Sequence, residues 1–510
     1  MPRYAAIDIG SNSIRMLAAE VVPGAPFKTL ASSRQVTRLG EGVFRNGRIS
    51  QNAMELSCSV LSQMVAEYKD AGVVGMRAVG TSALRDASNR DEFLARASQA
   101  LQAPIEVISG QEEARLIHLG VQSRWPHPTE RVLMIDIGGG SAELILSEHG
   151  RISQAFSKQL GALRLTEVFL KNDPPSRREL HRLEEYIEER IVDAVRRFGR
   201  APYDRAIATS ATAAAVICAV NHVPRAKRDT ADRLRATAAQ VKNFYQEVNS
   251  RNLDKRSKIP GIGPKRAEII VPGAALLLLA LREFQLSKLY YSSAGLRDGI
   301  IADLALRRVG RELSQLDAEQ RRLMAQMTHH YGVPLRHARK VAALAHTLFD
   351  SLQSLHKLPP AYGKALEAAS YLHDAGHYVS DTKHHRHSYY LVANSDMPGF
   401  TERERHLIAN LCRYHRKSSP NPTHSQFQAL DAEGKRAIAM LTPLLRLADS
   451  LDRSNEQRVE SLECQTRDAE VVLRIRSEAD VDLEQWAGER VADLFRETYG
   501  KRLVIAKAKR

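Results

Sequence analysis

Residues 131–147 read RVLMIDIGGGSAELILS, which sets an apolar run, a carboxylate, three glycines, a hydroxyl and a second apolar run inside seventeen positions. Val132, Leu133, Met134 and Ile135 lead up to Asp136, and the apolar run beyond Ser141 carries the chain back, so a strand, a tight turn and a returning strand are expected. Gly138, Gly139 and Gly140 lack a Cβ, which permits positive φ in the turn and bares backbone N–H groups to an anion. Ser141 adds a hydroxyl, and Glu143 a second carboxylate on the return strand. Backbone donors for phosphate beside carboxylates for a divalent cation suit phosphoryl chemistry. The chain carries the pattern twice. In YAAIDIGSNSIRMLAAEVV, Asp8, Gly10 and Ser13 stand 128 positions before Asp136, Gly138 and Ser141, again between apolar flanks. Two such hairpins imply a duplicated fold whose halves face each other across a cleft, each offering a phosphate-binding turn.

At 510 residues the chain exceeds a single core, and three or four domains are expected. A formal charge of +15 favours an anionic partner by long-range attraction: nucleic acid, a phosphate-rich small molecule or polyphosphate. Cys58, Cys218, Cys412 and Cys464 are far apart and form no C-x-x-C pair, which argues against a disulfide framework and a thiolate zinc site. The longest apolar run, Ala274 to Leu281, is too short to span a bilayer, so no membrane association is expected. Strand-like sequence begins a few residues after Met1, from which no secretory leader and a cytoplasmic location are expected.

Between the hairpins, a strand-like segment ends at Thr81 and Ser82, with Arg85 one helical turn on. A strand end leading into a helix N-terminus is a place to hold an anion, and an arginine there can bind it bidentately. In IEVISGQEEARLIHLGV, a strand ends at Ser109 and Gly110, and a helix opens with Glu112 and Glu113. Acids in a first turn suit the helix dipole, and a carboxylate near the two turns also suits a general base for an attacking water. Only position in the fold separates those roles. Further on come Arg164 and Thr166 in LGALRLTEVF, and the small polar residues Thr209, Ser210 and Thr212, placed where a nucleoside could be received. IPGIGPKRAEII has the look of a DNA-binding helix-hairpin-helix, without the flanking paired helices such a module needs. From about residue 306 the chain turns to successive helices rich in histidine, with His337, the pair His373 and Asp374, and Asp449 on three of them. Imidazole plus carboxylate ligands suit Mn, Fe, Zn or Mg. His384, His385, His387 and His415 either extend that site or face solvent. A final strand, helix, strand pattern indicates a small α/β segment.

Taken together, the chain resembles the exopolyphosphatase/guanosine pentaphosphate phosphohydrolase (Ppx/GppA) family. The resemblance is carried by DIGSNS (8–13), GTSALRDASN (80–89), SGQEEARLI (109–117), DIGGGSAE (136–143), GALRLTE (161–167), PKRAEIIVPGA (264–274) and GLRDGI (295–300). It implies an α/β fold of two ribonuclease H-like domains, of the actin and sugar kinase superfamily, at 1–125 and 126–305. A mostly α-helical HD-type domain at 306–460 and a small α/β C-terminal segment at 461–510 would follow. The helical part is similar to HD-type domains of longer members through HHRHS, RYHRKS and RLADSLDRS. Many members have lost the HD metal ligands, whereas His337, His373, Asp374 and Asp449 all stand here, which leaves open a second divalent metal. IATSATAAA departs from the glycine-richer version common in the family.

The resemblance also implies roles. Glu113 would activate the attacking water, and Ser11, Asn12, Ser13, Arg85, Gly138, Gly139, Gly140 and Ser141 would bind phosphate. Asp136 and Glu143 would hold Mg²⁺ or Mn²⁺. The expected reaction is release of the terminal phosphate of inorganic polyphosphate. Alternatives are a guanosine pentaphosphate 5'-phosphohydrolase, a kinase of the same superfamily, and a polyphosphate or nucleotide sensor whose hydrolysis lies in the HD-type domain. A homodimer is expected and a nucleic-acid partner is not, since PKRAEIIVPGA belongs to the family pattern.

Overall fold

The computed structural model describes residues 1–22, 25–199, 201–307 and 314–508. By contacts the chain divides into two compact units, Met1–Gly310 and Arg311–Arg510.

In the first unit, the apolar flanks of the first turn form β1 (Arg3–Ile9) and β2 (Ile14–Glu20), an antiparallel pair in which Ile9 faces Ile14. β3 (Lys28–Gln35) joins the β2 edge antiparallel, while β4 (Gly75–Gly80) and β5 (Ile105–Val107) add in parallel beyond β1. The resulting order is β3-β2-β1-β4-β5. The second turn lies between β6 (Arg131–Ile137) and β7 (Ala142–Glu148). With β8 (Arg151–Lys158), β9 (Arg205–Thr209), β10 (Arg235–Thr237) and β11 (Lys288–Tyr291), these make a six-stranded sheet ordered β10-β11-β9-β6-β7-β8. Read from β8 inward, that order repeats the first sheet, with β10 added on the far edge. Residues 132–137 are buried without alternation, as a strand covered on both faces requires.

Both turns close with the same hydrogen bond: Gly10 N donates to Ser13 O at 3.2 Å, and Gly138 N donates to Ser141 O at 3.0 Å. The expectation of positive φ at the triple glycine is not met, since none of Gly138, Gly139 and Gly140 adopts the left-handed region. Space, not backbone freedom, is what glycine provides there. A Cβ on Gly139 would stand 3.0 Å from Ser11 Cβ and 3.2 Å from Asn12 N, so the two turns touch at this point.

Two helices, Gly110–Arg124 and Leu296–Leu306, pack together, the first also covering β7 and β8 and the second β1, β2 and β4. Ala114, Ile117 and Val121 bury against Val132, Met134, Ile145 and Ile207, while Ile300, Ile301 and Leu304 bury against Tyr4, Ala6, Leu17 and Val79. Each sheet is therefore covered by a helix from the other half of the sequence. The expected division at 125 and 126 runs between a helix and the sheet it covers.

A buried ion network joins these elements. Arg77 Nη1 on β4 donates to Glu112 Oε1 at 3.1 Å and to Asp303 Oδ2 at 3.0 Å, and Arg77 Nη2 donates to Glu106 Oε2 at 3.0 Å. Arg115 Nε donates to Glu112 Oε2 at 2.8 Å and its Nη2 to Asp303 Oδ1 at 2.7 Å, while Arg307 Nε reaches Asp303 Oδ2 at 2.8 Å. Among the described residues three arginines thus meet three acids.

The second unit is built on helices Leu335–Ser351, Ala361–Leu372, Glu402–Tyr414 and Ala432–Ser450, whose apolar faces share one core. A sheet ordered β12-β13-β14, from β12 (Ser461–Thr466), β13 (Glu470–Arg476) and β14 (Arg502–Lys507), completes it. Among the described residues no helix is long and apolar enough to cross a membrane.

Gly161 tests how tightly the second turn is held, because a Cβ there would stand 2.3 Å from the carbonyl carbon of Gly139. Gly161→Ala should destabilise the first unit by roughly 1–3 kcal/mol, as overpacking against backbone does. Trp125 and Trp486 fall one in each unit, so urea unfolding followed by Trp125 fluorescence in a Trp486→Phe background reads the first unit alone.

Candidate active site

The two turns line a cleft of about 470 Å³. Of the residues singled out from the sequence, Ser11, Asn12, Ser13, Glu113, Asp136, Gly138, Gly139, Gly140 and Ser141 all line it, and Arg85 and Glu143 stand behind its wall. The adjacent glutamates part company here. Glu112 is consumed by Arg77 and Arg115 in the buried network, whereas Glu113 faces the cleft. Arg85 Nη1 donates to Glu113 Oε2 at 2.9 Å and to Ile108 O at 2.9 Å, and Arg85 Nη2 reaches Ser141 Oγ at 3.4 Å. Burial raises the Glu113 carboxyl above its ordinary pKa, against the lowering effect of Arg85. A raised carboxylate is a stronger base at neutral pH.

The charge pattern of the two hairpins differs at one position. Across the first hairpin Asp8 pairs with Arg15, and across the second Asp136 pairs with Glu143. Directly opposed like charges destabilise a strand pair, so the second hairpin carries an uncompensated repulsion. Glu143 is fully buried; Ser157 Oγ donates to its Oε1 at 2.8 Å, while Oε2 has no hydrogen-bond partner among the described residues. Burial first, then Glu113 and Asp136, holds the Glu143 carboxyl well above its ordinary range. Burial and the neighbouring Glu113 push Asp136 up to about 7, partly opposed by Arg15. Asp8 is also raised by burial, against Arg15, Arg297 and Arg34.

Acids so crowded fit a divalent cation. Among the described residues their ligand atoms do not gather three together within 4.8 Å.

Several cleft residues were missed in the sequence reading. Arg15, Arg34, Arg124, Arg266 and Arg297 line it, as does Asp298, whose Oδ2 accepts from Gly295 N at 3.1 Å. Arg266, Arg297 and Asp298 lie inside quoted motifs, and Arg15 follows Ser13 by two positions, but nothing local shows where they point. Thr209 and Ser210 line the cleft, while Thr212 accepts from Arg266 Nη1 at 3.3 Å. Ser210 carries φ 76 and donates its Oγ to Ile137 O at 2.7 Å, a strained backbone beside the second turn. Arg164 fixes the turn from outside: its Nε donates to Gly140 O at 2.7 Å, its Nη2 reaches Ser82 Oγ at 3.1 Å, and it pairs with Asp86.

In the second unit, the four expected residues come together. Asp449 Oδ1 lies 3.5 Å from His337 Nε2 and 3.4 Å from His373 Nε2, and Asp374 Oδ2 lies 3.7 Å from His373 Nε2. His384 and His415 join them, each with Nε2 within 3.5 Å of Asp374 Oδ1. Asp452, fully buried, orients His337 through a 2.8 Å contact to Nδ1. The sequence signal for it was its place one turn after Asp449.

A duplicated α/β fold that sets two glycine turns and a desolvated glutamate around an arginine-lined cleft defines an enzyme acting on phosphoric anhydrides. The Ppx/GppA phosphatase family model matches residues 17–308 and the model of that family's domain III matches 320–487; the chain belongs to this family. Among solved structures it is similar to the Ppx/GppA family member of Aquifex aeolicus, at 28% identity over 60% of this chain and 98% of that one, with a TM-score of 0.52. An exopolyphosphatase from Cytophaga hutchinsonii shares 25% identity over 60% of this chain and 98% of its own, with a TM-score of 0.55. An exopolyphosphatase-like protein shares 26% over 60% and 99%, with a TM-score of 0.57.

Two measurements separate structural from cleft-facing acids. Glu112→Ala leaves Arg77 and Arg115 short of a buried partner and should cost about 3–5 kcal/mol, whereas Glu113→Gln should change stability by less than about 1 kcal/mol, both by urea unfolding. A buried Asp136 keeps its proton to about 7, while an unfolded aspartate releases it near ~3.9, so the folded state binds the extra proton in between. Wild-type stability should therefore fall relative to Asp136→Asn as pH rises from about 4 to about 7. Urea midpoints measured with a chelator present read the difference.

Proposed function

We propose that the chain is an exopolyphosphatase whose first unit hydrolyses the terminal phosphate of inorganic polyphosphate. The observation that carries this reading is the separation of Glu112 from Glu113: the first is locked in an ion network and the second is left desolvated, facing both turns. In this reading Glu113 takes a proton from water, whose oxygen bonds the terminal phosphorus. The P–O bond to the next phosphate then breaks, and its electron pair leaves with the shortened chain. Arg85 holds Glu113 in place and reaches toward Ser141. Backbone N–H groups of Gly138, Gly139 and Gly140, with Ser11, Asn12, Ser13 and Ser141, hold the phosphoryl oxygens. Mg²⁺ or Mn²⁺, held by Asp136 and Glu143, supplies neutralising charge when bound. Positioning and charge neutralisation carry most of the acceleration in such a transfer.

The repeated sheet order supports reading 1–125 and 126–305 as two ribonuclease H-like domains, and the His-Asp cluster supports an HD-type domain at 306–460 before the 461–510 segment. Guanosine pentaphosphate presents the same terminal phosphoryl, and Thr209 and Ser210 in the cleft would meet its nucleoside end. A panel of polyphosphate, guanosine pentaphosphate and nucleoside triphosphates, with released phosphate measured, ranks these. Glu113→Gln should slow phosphate release from polyphosphate by about 10²–10⁴-fold while leaving polyphosphate binding within a few-fold. Undiminished turnover in that variant overturns the assignment.

A further inference from the structure

The 128-residue repeat reaches beyond the hairpins, to Thr81-Ser82-Ala83 and Thr209-Ser210-Ala211, each at the end of the strand that pairs in parallel with its hairpin. The register differs between the copies. Asp8 lies level with Val79 on β4, whereas Asp136 lies level with Thr209 on β9. Ser82 therefore stands three residues past the level of its aspartate, and Ser210 only one. Ser82 Oγ accepts from Arg164 Nη2 at 3.1 Å, and its backbone is not left-handed. Ser210 is left-handed, with φ 76, a conformation that costs a residue bearing a Cβ more than it costs glycine. The strain persists because the end of β9 is held from the side of β11: Thr209 Oγ1 donates to Ala294 O at 2.6 Å, and Ser292 N donates to Ala208 O at 3.0 Å.

The strained residue delivers a hydroxyl to the second turn. Ser210 Oγ donates to Ile137 O at 2.7 Å, and on the other side of the same peptide Gly138 N donates to Ser141 O at 3.0 Å. The later carbonyls of the turn are held as well. Gly138 O accepts from Ala162 N at 3.0 Å, Gly139 O from Leu163 N at 2.9 Å and Gly140 O from Arg164 Nε at 2.7 Å. A trans peptide is planar, so a carbonyl tied on one side turns the N–H that follows to the other. The N–H groups of Gly139, Gly140 and Ser141 donate to no protein acceptor among the described residues, and all three residues line the cleft. Burial pushes the Asp136 carboxyl up to about 7 and the Ser210 hydroxyl works against it, so Oγ stands between the turn and that carboxyl.

We propose that Ser210 is a positioning residue for phosphate binding: its left-handed backbone sets the hydroxyl that fixes the Ile137–Gly138 peptide, and with it the three N–H groups that meet the phosphoryl oxygens. The shifted register of β9 brings Ser210 to that peptide, and the strain is the cost of turning its side chain onto Ile137 O. Glycine would relax the backbone and leave Ile137 O without its donor. A serine in this conformation is therefore kept for its hydroxyl and not for its fold. The inference rests on the proposed function only for the identity of the anion.

Ser210→Gly and Ser210→Ala both remove the hydroxyl, but only glycine relieves the backbone, so stability should follow the Cβ while binding follows the hydroxyl. In urea unfolding read by Trp125 fluorescence in the Trp486→Phe background, Ser210→Gly should show the higher midpoint of the two. Calorimetric titration of full-length Glu113→Gln with inorganic tripolyphosphate, Mn²⁺ present, should show affinity lower by about 3–10-fold when either substitution is added. Affinity restored to the Glu113→Gln level by Ser210→Gly assigns the effect to the backbone and overturns the inference. Affinity unchanged in both double variants overturns it too, as does a lack of tripolyphosphate binding in Glu113→Gln. If Ser210→Ala fails to fold, Ser210→Gly alone decides, because its backbone is unstrained. Failure of the exopolyphosphatase reading shows separately, as turnover undiminished by Glu113→Gln.

Discussion

The buried network of Arg77, Glu112, Arg115 and Asp303 is the constraint from which the geometry of the cleft follows. It joins β4 of the first sheet to the helix Gly110–Arg124, which covers the second sheet, and to the helix Leu296–Leu306, which covers the first. Charges this deep are costly to desolvate, and apolar residues of the same volume could match or exceed their stability. What the network provides is register. A helix fixed by both faces of Glu112 cannot rotate or slide without breaking several charged hydrogen bonds, so the next residue, Glu113, is delivered to one place between the two turns. Catalytic positioning tolerates little slack, and rigid elements supply it better than loops do.

Against that frame the two hairpins divide their work. They share sheet order, a closing hydrogen bond and the opening aspartate, and differ where Arg15 in the first corresponds to Glu143 in the second. In the first hairpin Asp8 faces a charge of opposite sign, Arg15, which works against the effect of burial. The second gathers Asp136 and Glu143 with Glu113 nearby; beyond burial, Glu113 raises the proton affinity of Asp136, and both raise that of Glu143. Such a cluster is stable when it is protonated or when a cation replaces the protons. A repeat that is locally neutral in one copy and locally frustrated in the other is how a duplicated fold acquires one-sided chemistry.

Much of this was legible in the sequence because it is local. Apolar runs on either side of a glycine turn specify a hairpin wherever they occur, and the 128-residue repeat specifies two. Of the nine expected residues that line the cleft, eight sit in those turns or beside them, and Glu113 opens a helix after a strand end. What was not legible is what depends on contacts distant in sequence. The triple glycine suggested positive φ, yet its glycines serve the contact with Ser11 and Asn12 and with Gly161, which only the folded chain brings near. Glu112 and Glu113 are chemically identical and adjacent, and Asp303, some 190 positions later, decides between them. Arg15 and Arg297 carried no signal because a solvated arginine and a cleft arginine look alike in a one-dimensional pattern. In the second unit the pattern picked out His337, His373, Asp374 and Asp449, while His384 and His415 stayed ambiguous until helix packing turned their Nε2 atoms toward Asp374.

The charge of the chain then takes on a narrower meaning. An excess of +15 spread over the surface would be screened beyond about 8–10 Å at physiological salt, so it steers a polyanion without selecting a site. In the proposed function, selection would fall to Arg15, Arg34, Arg124, Arg266 and Arg297, which line the same cleft as Asp8, Glu113 and Asp136. A phosphate chain approaching those acids alone would be repelled. In the proposed reaction the arginines on the walls and a cation at the second hairpin would offset that repulsion, leaving it along the side of Glu113, where a negative carboxylate would take the proton from water and not from the substrate.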